Sequence, residues 1–106
     1  MEIRHYLTRT GRDPFQRCLD RLKDLPARVA IQRRGDRLAS DNLGDHRFCG
    51  EAVWELRIDV GPGDRVYFAR AGRALVLPLC GGDKRTPAED IATAIAYWQD
   101  YLRGTE

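Results

Sequence analysis

Residues 54–68 read Trp-Glu-Leu-Arg-Ile-Asp-Val-Gly-Pro-Gly-Asp-Arg-Val-Tyr-Phe, and their periodicity decides the fold. Trp54, Leu56, Ile58 and Val60 alternate with Glu55, Arg57 and Asp59. Gly61-Pro62-Gly63 then reverses the chain, and Val66 and Phe68 alternate with Arg65 and Tyr67. A period of two sends successive side chains to opposite faces of a strand, so the segment predicts two antiparallel strands with one dry face and one charged face. Ala71-Gly72 marks a second turn, and Leu75, Leu77 and Leu79 extend the meander to a third strand.

Downstream, Gly81-Gly82-Asp83-Lys84-Arg85 ends that strand, and Thr86-Pro87-Ala88-Glu89 has the form of a capping box with proline at the first helical position. Ile91, Ala94, Ile95, Trp98, Tyr101 and Leu102 then recur on one stripe of a final helix. Upstream, residues 41–52 have turn composition and no period, which predicts a connecting loop. Before the loop, Asp13-Pro14-Phe15-Gln16 opens a short amphipathic helix carrying Phe15, Cys18, Leu19 and Leu22. Leu25-Pro26 interrupts it, and Ala27, Ile31 and Leu38 define a second helix that shows Arg28, Arg33 and Arg37 on its other sides. Ile3, His5 and Leu7 alternate with Glu2, Arg4 and Tyr6, which predicts a first strand. The expected fold is α+β, in the order β-α-α-β-β-β-α. It is a single domain over residues 1–106, whose four-stranded, mainly antiparallel sheet has helices on one face and an open second face.

Composition fits such a domain: 106 residues, 42% hydrophobic and 32% charged, bury one core without metals or disulfides. No apolar run approaches the ~20 residues that cross a bilayer, and Met1-Glu2-Ile3-Arg4-His5 does not resemble a signal peptide, so a cytoplasmic location and no membrane partner are expected. Cys18, Cys49 and Cys80 are an odd count without a Cys-x-x-Cys pair, which predicts reduced, packed thiols and no zinc. The net charge is only +2, but 16 of the 18 cations are arginine, whose planar fork suits phosphate oxygens. A GC-rich genome gives the same bias, so the positions of the arginines carry the argument.

On the open face the alternation gathers Arg57, Arg65 and Tyr67, a pattern suited to clamping a phosphodiester and stacking a base. The same alternation allows Glu55 and Asp59 to pair with Arg57 or Arg65 as ordinary cross-strand charges. Gly81-Gly82 lies between a strand end and a helix start, where free N–H groups attract anions, with Lys84 and Arg85 beside it. The Walker A spacing is absent. Acid–base candidates are His5, on the apolar side of the first strand and so expected to be partly buried, and His46, in the loop at the edge of the open face. No cluster has metal-ligand spacing, so no metal or other cofactor is expected.

The run from Trp54 to Phe68, together with Leu77-Pro78-Leu79-Cys80-Gly81-Gly82-Asp83-Lys84 and Asp90-Ile91, resembles the addiction-module killer proteins of the RelE/ParE toxin superfamily. The resemblance implies the toxin of a type II toxin–antitoxin system, neutralised by a small, DNA-binding protein antitoxin. RelE- and HigB-like members cut mRNA in the ribosome without a metal, by attack of the ribose 2′-hydroxyl on the adjacent phosphate. ParE-like members instead inhibit DNA gyrase without being enzymes. Carried across, Arg65 matches the transition-state arginine, Arg57 a basic residue on the preceding strand, and Lys84 or Arg85 the basic residue after the last strand. His46 becomes a general acid or base, and Arg47, Tyr67 and Arg85 are RNA-binding candidates. Glu55 stands where RelE carries a strand lysine, and RelE's tyrosine at the start of its last helix is missing, with Asp90 nearby. A ribosome-dependent endoribonuclease is therefore expected, with a gyrase inhibitor or a non-toxic antitoxin-binding module as the alternatives.

Overall fold

The computed structural model describes residues 2–40, 44–58, 64–72, 74–81 and 87–104. The elements are β1 (Glu2–His5), α1 (Pro14–Arg21), α2 (Leu25–Ala39), β2 (His46–Gly50), β3 (Val53–Ile58), β4 (Asp64–Ala71), β5 (Ala74–Gly81) and α3 (Pro87–Gly104). The sheet order is β1-β5-β4-β3-β2; β1 runs parallel to β5 and the remaining pairs are antiparallel. Asp59, the Gly61-Pro62-Gly63 turn, Gly82, Lys84, Arg85 and Thr86 of the expected capping box lie outside the described residues.

The α+β class and the mainly antiparallel meander agree with the sequence, but the sheet has five strands where four were expected. The extra strand is β2, which occupies part of the stretch expected to be a loop. His46, Arg47 and Phe48 pair with Leu56, Glu55 and Trp54, a bulge follows Phe48, and Gly50 pairs with Val53. The hairpin closes through Glu51 and Ala52, at φ values of 51° and 68°. That geometry is normally signalled by Asn-Gly or Asp-Gly, and without those residues the turn left no sequence mark.

Helices cover both faces, which corrects the one-faced arrangement. On one side Phe15 and Leu19 of α1 and Ile31 and Leu38 of α2 pack on Leu56, Ile58, Val66, Phe68 and Leu75. On the other side Ala94 and Trp98 of α3 pack on Tyr6, Val53, Tyr67 and Ala69. The cause is a change of chemistry along the second face. Arg57 and Arg65 pair at one end of it, whereas Val53 and Ala69 pair at the other, and this apolar end is what α3 covers. Each large side chain buried in these layers contributes about 1.5–3 kcal/mol.

The helix starts follow the sequence closely. Asp13 caps α1, its Oδ1 accepting from the Gln16 amide at 2.9 Å, and Pro14 occupies the first turn. Two smaller expectations fail. His5 is exposed, with Nδ1 2.6 Å from Asp13 Oδ2 and its ring edge-on to Phe15, because β1 ends at His5 and Tyr6 turns into the α3 layer while Leu7 faces solvent. Cys18 is disulfide-bonded rather than reduced, whereas Cys49 is free. Among the described residues no helix is long and apolar enough to cross a membrane.

Candidate anion-binding site

Strands β2, β3 and β4 bring Arg47 opposite Glu55, Glu55 opposite Tyr67, and Arg57 opposite Arg65, all on the face that α3 partly covers. Glu55 has no exposed surface, yet it is the hub of three arginines. Its Oε1 accepts from Arg57 Nε at 3.1 Å and lies 3.7 Å from Arg65 Nε, while Oε2 lies 3.6 Å from Arg47 Nη2. Arg47 and Arg57 keep about half of their side-chain surface, 53% and 46%, whereas Arg65 keeps 18%. Three guanidiniums share one carboxylate, partly lifted out of water where Coulomb interactions are stronger.

The carboxylate that permits these arginines to converge also fixes their direction. Its hydrogen bond to Arg57 pushes the guanidinium pKa further up, so Arg57 stays cationic. Glu55 Oε2, Arg65 Nη1 and the Tyr67 hydroxyl are all buried without a hydrogen-bond partner among the described residues. Burial, and then the charge of Glu55, push the Tyr67 hydroxyl up to about 12. The half-exposed guanidiniums of Arg47 and Arg57 are the part of the cluster suited to receiving an oxyanion.

A brace behind the site keeps the β2–β3 hairpin in place. Arg34 of α2 donates from Nη1 to the Arg57 carbonyl at 2.8 Å and from Nη2 to the Asp45 carbonyl at 3.1 Å. Burial, the larger cause, and neighbouring Arg37 lower its pKa. Gly44 lies against it at φ +61°, and an added Cβ would stand 2.9 Å from Arg34 Nη2, so both conformation and space call for glycine there.

The structure therefore brings together Arg47, Arg57 and Arg65 and adds Glu55 as their hub. It does not bring His46 to them. His46 pairs with Leu56, so its ring stands on the opposite face, 5.5 Å from the Trp54 ring, with Nδ1 donating to the Gly44 carbonyl at 2.8 Å. Nor is Tyr67 available to stack a base: it is completely buried under α3, because the face expected to be open is covered there. Lys84 and Arg85 lie outside the described residues. Among those residues no group of three or more His, Cys, Asp or Glu side chains is placed to hold a metal ion.

A second polar cluster, which the sequence did not suggest, joins the end of β1 to the end of α3. Tyr6 donates to Asp100 Oδ2 at 2.5 Å, Arg9 and Arg103 flank Asp100 Oδ1 at 3.7 and 3.4 Å, and a cleft of about 450 Å³ lies alongside.

Fold and site together define a small α+β protein whose mixed sheet carries an arginine cluster organised by a buried glutamate. No protein-family model matches the chain. Over 80 residues it is 44% identical to an uncharacterized protein of Haemophilus influenzae, an overlap that spans 76% of this chain and 81% of that protein. The chain belongs to the family of that protein.

Proposed function

We propose that the protein is the toxin of a type II toxin–antitoxin pair and that it cleaves mRNA on the ribosome. The observation that carries this reading is the convergence of Arg47, Arg57 and Arg65 on buried Glu55, a rigid cationic site on a sheet face. It agrees with the roles implied by the resemblance to RelE- and HigB-like toxins. When a ribose 2′-hydroxyl attacks the adjacent phosphorus, the pentacoordinate transition state carries an extra negative charge. Arg65, the least exposed of the three, stabilises that charge, and Arg57 and Arg47 neutralise nonbridging oxygens. A preorganised donor of this kind is worth about 3–4 kcal/mol of transition-state stabilisation. Lys84 is assigned to the leaving group on the resemblance alone, and no proton-transfer role at this site is assigned to His46.

The cellular setting follows from the same reading: cytoplasmic, with ribosome and mRNA as targets and an antitoxin that offers carboxylates to the basic surface. One observation favours a second reading. Glu55, the carboxylate that holds the arginines, is buried and tied to them, and the His46 imidazole stands on the opposite face of β2, so binding without catalysis fits a gyrase inhibitor or an antitoxin-binding module. Induction in a bacterial host separates these readings. Growth arrest with truncated mRNA supports the nuclease, whereas arrest with intact mRNA and inhibited supercoiling identifies the gyrase inhibitor. Growth without arrest identifies the non-toxic module.

A further inference from the structure

The edge strand β2 carries chemistry on both of its faces. Arg47 points to the arginine cluster, and the next residue, Phe48, points the other way. Phe48 is 53% exposed, a large apolar surface for a side chain beside so much positive charge. It is also rigidly mounted. Its ring meets the Trp54 ring edge-on at 5.0 Å, His46 flanks the same indole at 5.5 Å, and Trp54 stacks at 6.5 Å on Phe68, which lies in the core. The bulge after Phe48 ends the regular ladder there, a place where sheets re-aim side chains. Phe48, His46 and Trp54 form a ridge anchored on Phe68 of the core and open to solvent at the sheet edge.

From this arrangement we propose that Phe48, flanked by His46 on the Trp54 ring, is a base-stacking subsite for single-stranded RNA whose phosphates lie on Arg47 and Arg57. The inference rests on the reading of the arginine cluster as a phosphate site. A nucleotide holds its phosphate and its base on opposite sides of its ribose. Arg47 and Phe48 are consecutive residues, about 3.8 Å apart at their Cα atoms, with side chains diverging around one edge. A chain crossing that edge therefore reaches charge on one face and an aromatic surface on the other, the combination by which single strands are commonly held. The charge of the neighbouring arginines selects a polyanion over a neutral or basic protein surface. The stacking role expected of buried Tyr67 thus passes to an aromatic residue in a stretch whose composition suggests only a loop.

The test is binding of a fluorescent eight-nucleotide RNA and of an abasic ribose-phosphate oligonucleotide of equal length and charge to the purified full chain. Phe48→Ala should weaken binding of the RNA about tenfold, within the range for loss of one stacked base, and leave the abasic oligonucleotide unchanged. Phe48→Leu, apolar but without a π face, should behave like Phe48→Ala, and Phe48→Trp should bind like the parent. Arg47→Ala should weaken both oligonucleotides alike, and unchanged abasic binding by the Phe48 variants shows that their fold and arginine cluster are intact. Equal RNA affinities for parent and Phe48→Ala, with Arg47→Ala still impaired, would overturn the stacking subsite and leave the proposed function standing. The subsite is equally overturned if Phe48→Ala disrupts only a complex with a protein partner. Failure of the parent to bind either oligonucleotide would remove the phosphate reading and the subsite together.

Discussion

Glu55 Oε1 stands 3.1 Å from Arg57 Nε, although the carboxylate has no exposed surface and the guanidinium keeps nearly half of its own. A buried anion is tolerated because cations surround it, and two of those cations reach solvent while still tied to it. Glu55 is thus the structural centre of the cluster, and Arg47 and Arg57 are the part of it that solvent reaches.

Removing the charge at that centre leaves mostly buried Arg65 uncompensated. Breaking a buried ion pair by deleting one partner costs about 3–5 kcal/mol. Glu55→Gln, which keeps the shape, should lower the urea midpoint by an amount equivalent to about 3 kcal/mol at an unchanged m-value. A midpoint within error of the parent would show that the glutamate is not holding the arginines.

The arginines should separate by burial. Arg57→Ala removes a half-exposed side chain together with the hydrogen bond that buried Glu55 Oε1 accepts, so it should lower the urea midpoint modestly, Arg47 and Arg65 remaining on the carboxylate. Arg65→Ala removes a mostly buried one and should lower it clearly. Both variants should bind single-stranded RNA more weakly. Log affinity plotted against log salt should become shallower by about 0.7 for each phosphate that is no longer neutralised. Identical salt slopes for parent and Arg57→Ala would mean that Arg57 touches no phosphate.

Alkaline pH should act through Tyr6 and Tyr67. Both hydroxyls are pushed up to about 12, in each case chiefly by burial, against a value near 10 in the unfolded chain. The neutral forms are therefore favoured by folding. That contribution is complete below about pH 10 and is lost as pH rises towards 12. Tyr67→Phe deletes a buried hydroxyl without a partner among the described residues, so it should leave stability at neutral pH unchanged or raised and make the decline above pH 10 shallower. Urea titrations at several pH values between 7 and 12 check both parts.

Much of the fold was legible because its signals were local. The period of two in residues 54–58, the Asp13-Pro14 cap and the Ala94–Trp98 spacing each correspond to an element that is present. What escaped depended on contacts distant in the chain. Alternation assigned Tyr67 to the charged face correctly but carried no information about which part of that face α3 would cover. It also placed Glu55 among the arginines, where cross-strand pairing was one of the two readings, without indicating that one carboxylate would serve three of them. His46 is next to Arg47 in sequence and for that very reason on the other side of β2. Phe48 and the strand it stands on were hidden by a turn of unmarked residues, Glu51 and Ala52.

That turn supplies its own prediction. Left-handed backbone costs a residue with a Cβ about 1–2 kcal/mol, and Asn-Gly is the pair best suited to it. Glu51→Asn with Ala52→Gly should therefore raise the urea midpoint by an amount equivalent to about 1 kcal/mol. No gain, or a loss, would mean that the β2–β3 hairpin closes differently.

Whether the proposed toxin cuts mRNA on the ribosome through its arginine cluster is decided by primer extension. The purified protein is incubated with translating ribosomes on one defined message, beside free message and the Arg57→Ala and Arg65→Ala proteins. New 5′ ends should appear only where ribosomes are present and be strongly reduced with either variant. Intact message in every lane, or cleavage undiminished by either substitution, would contradict the proposed function.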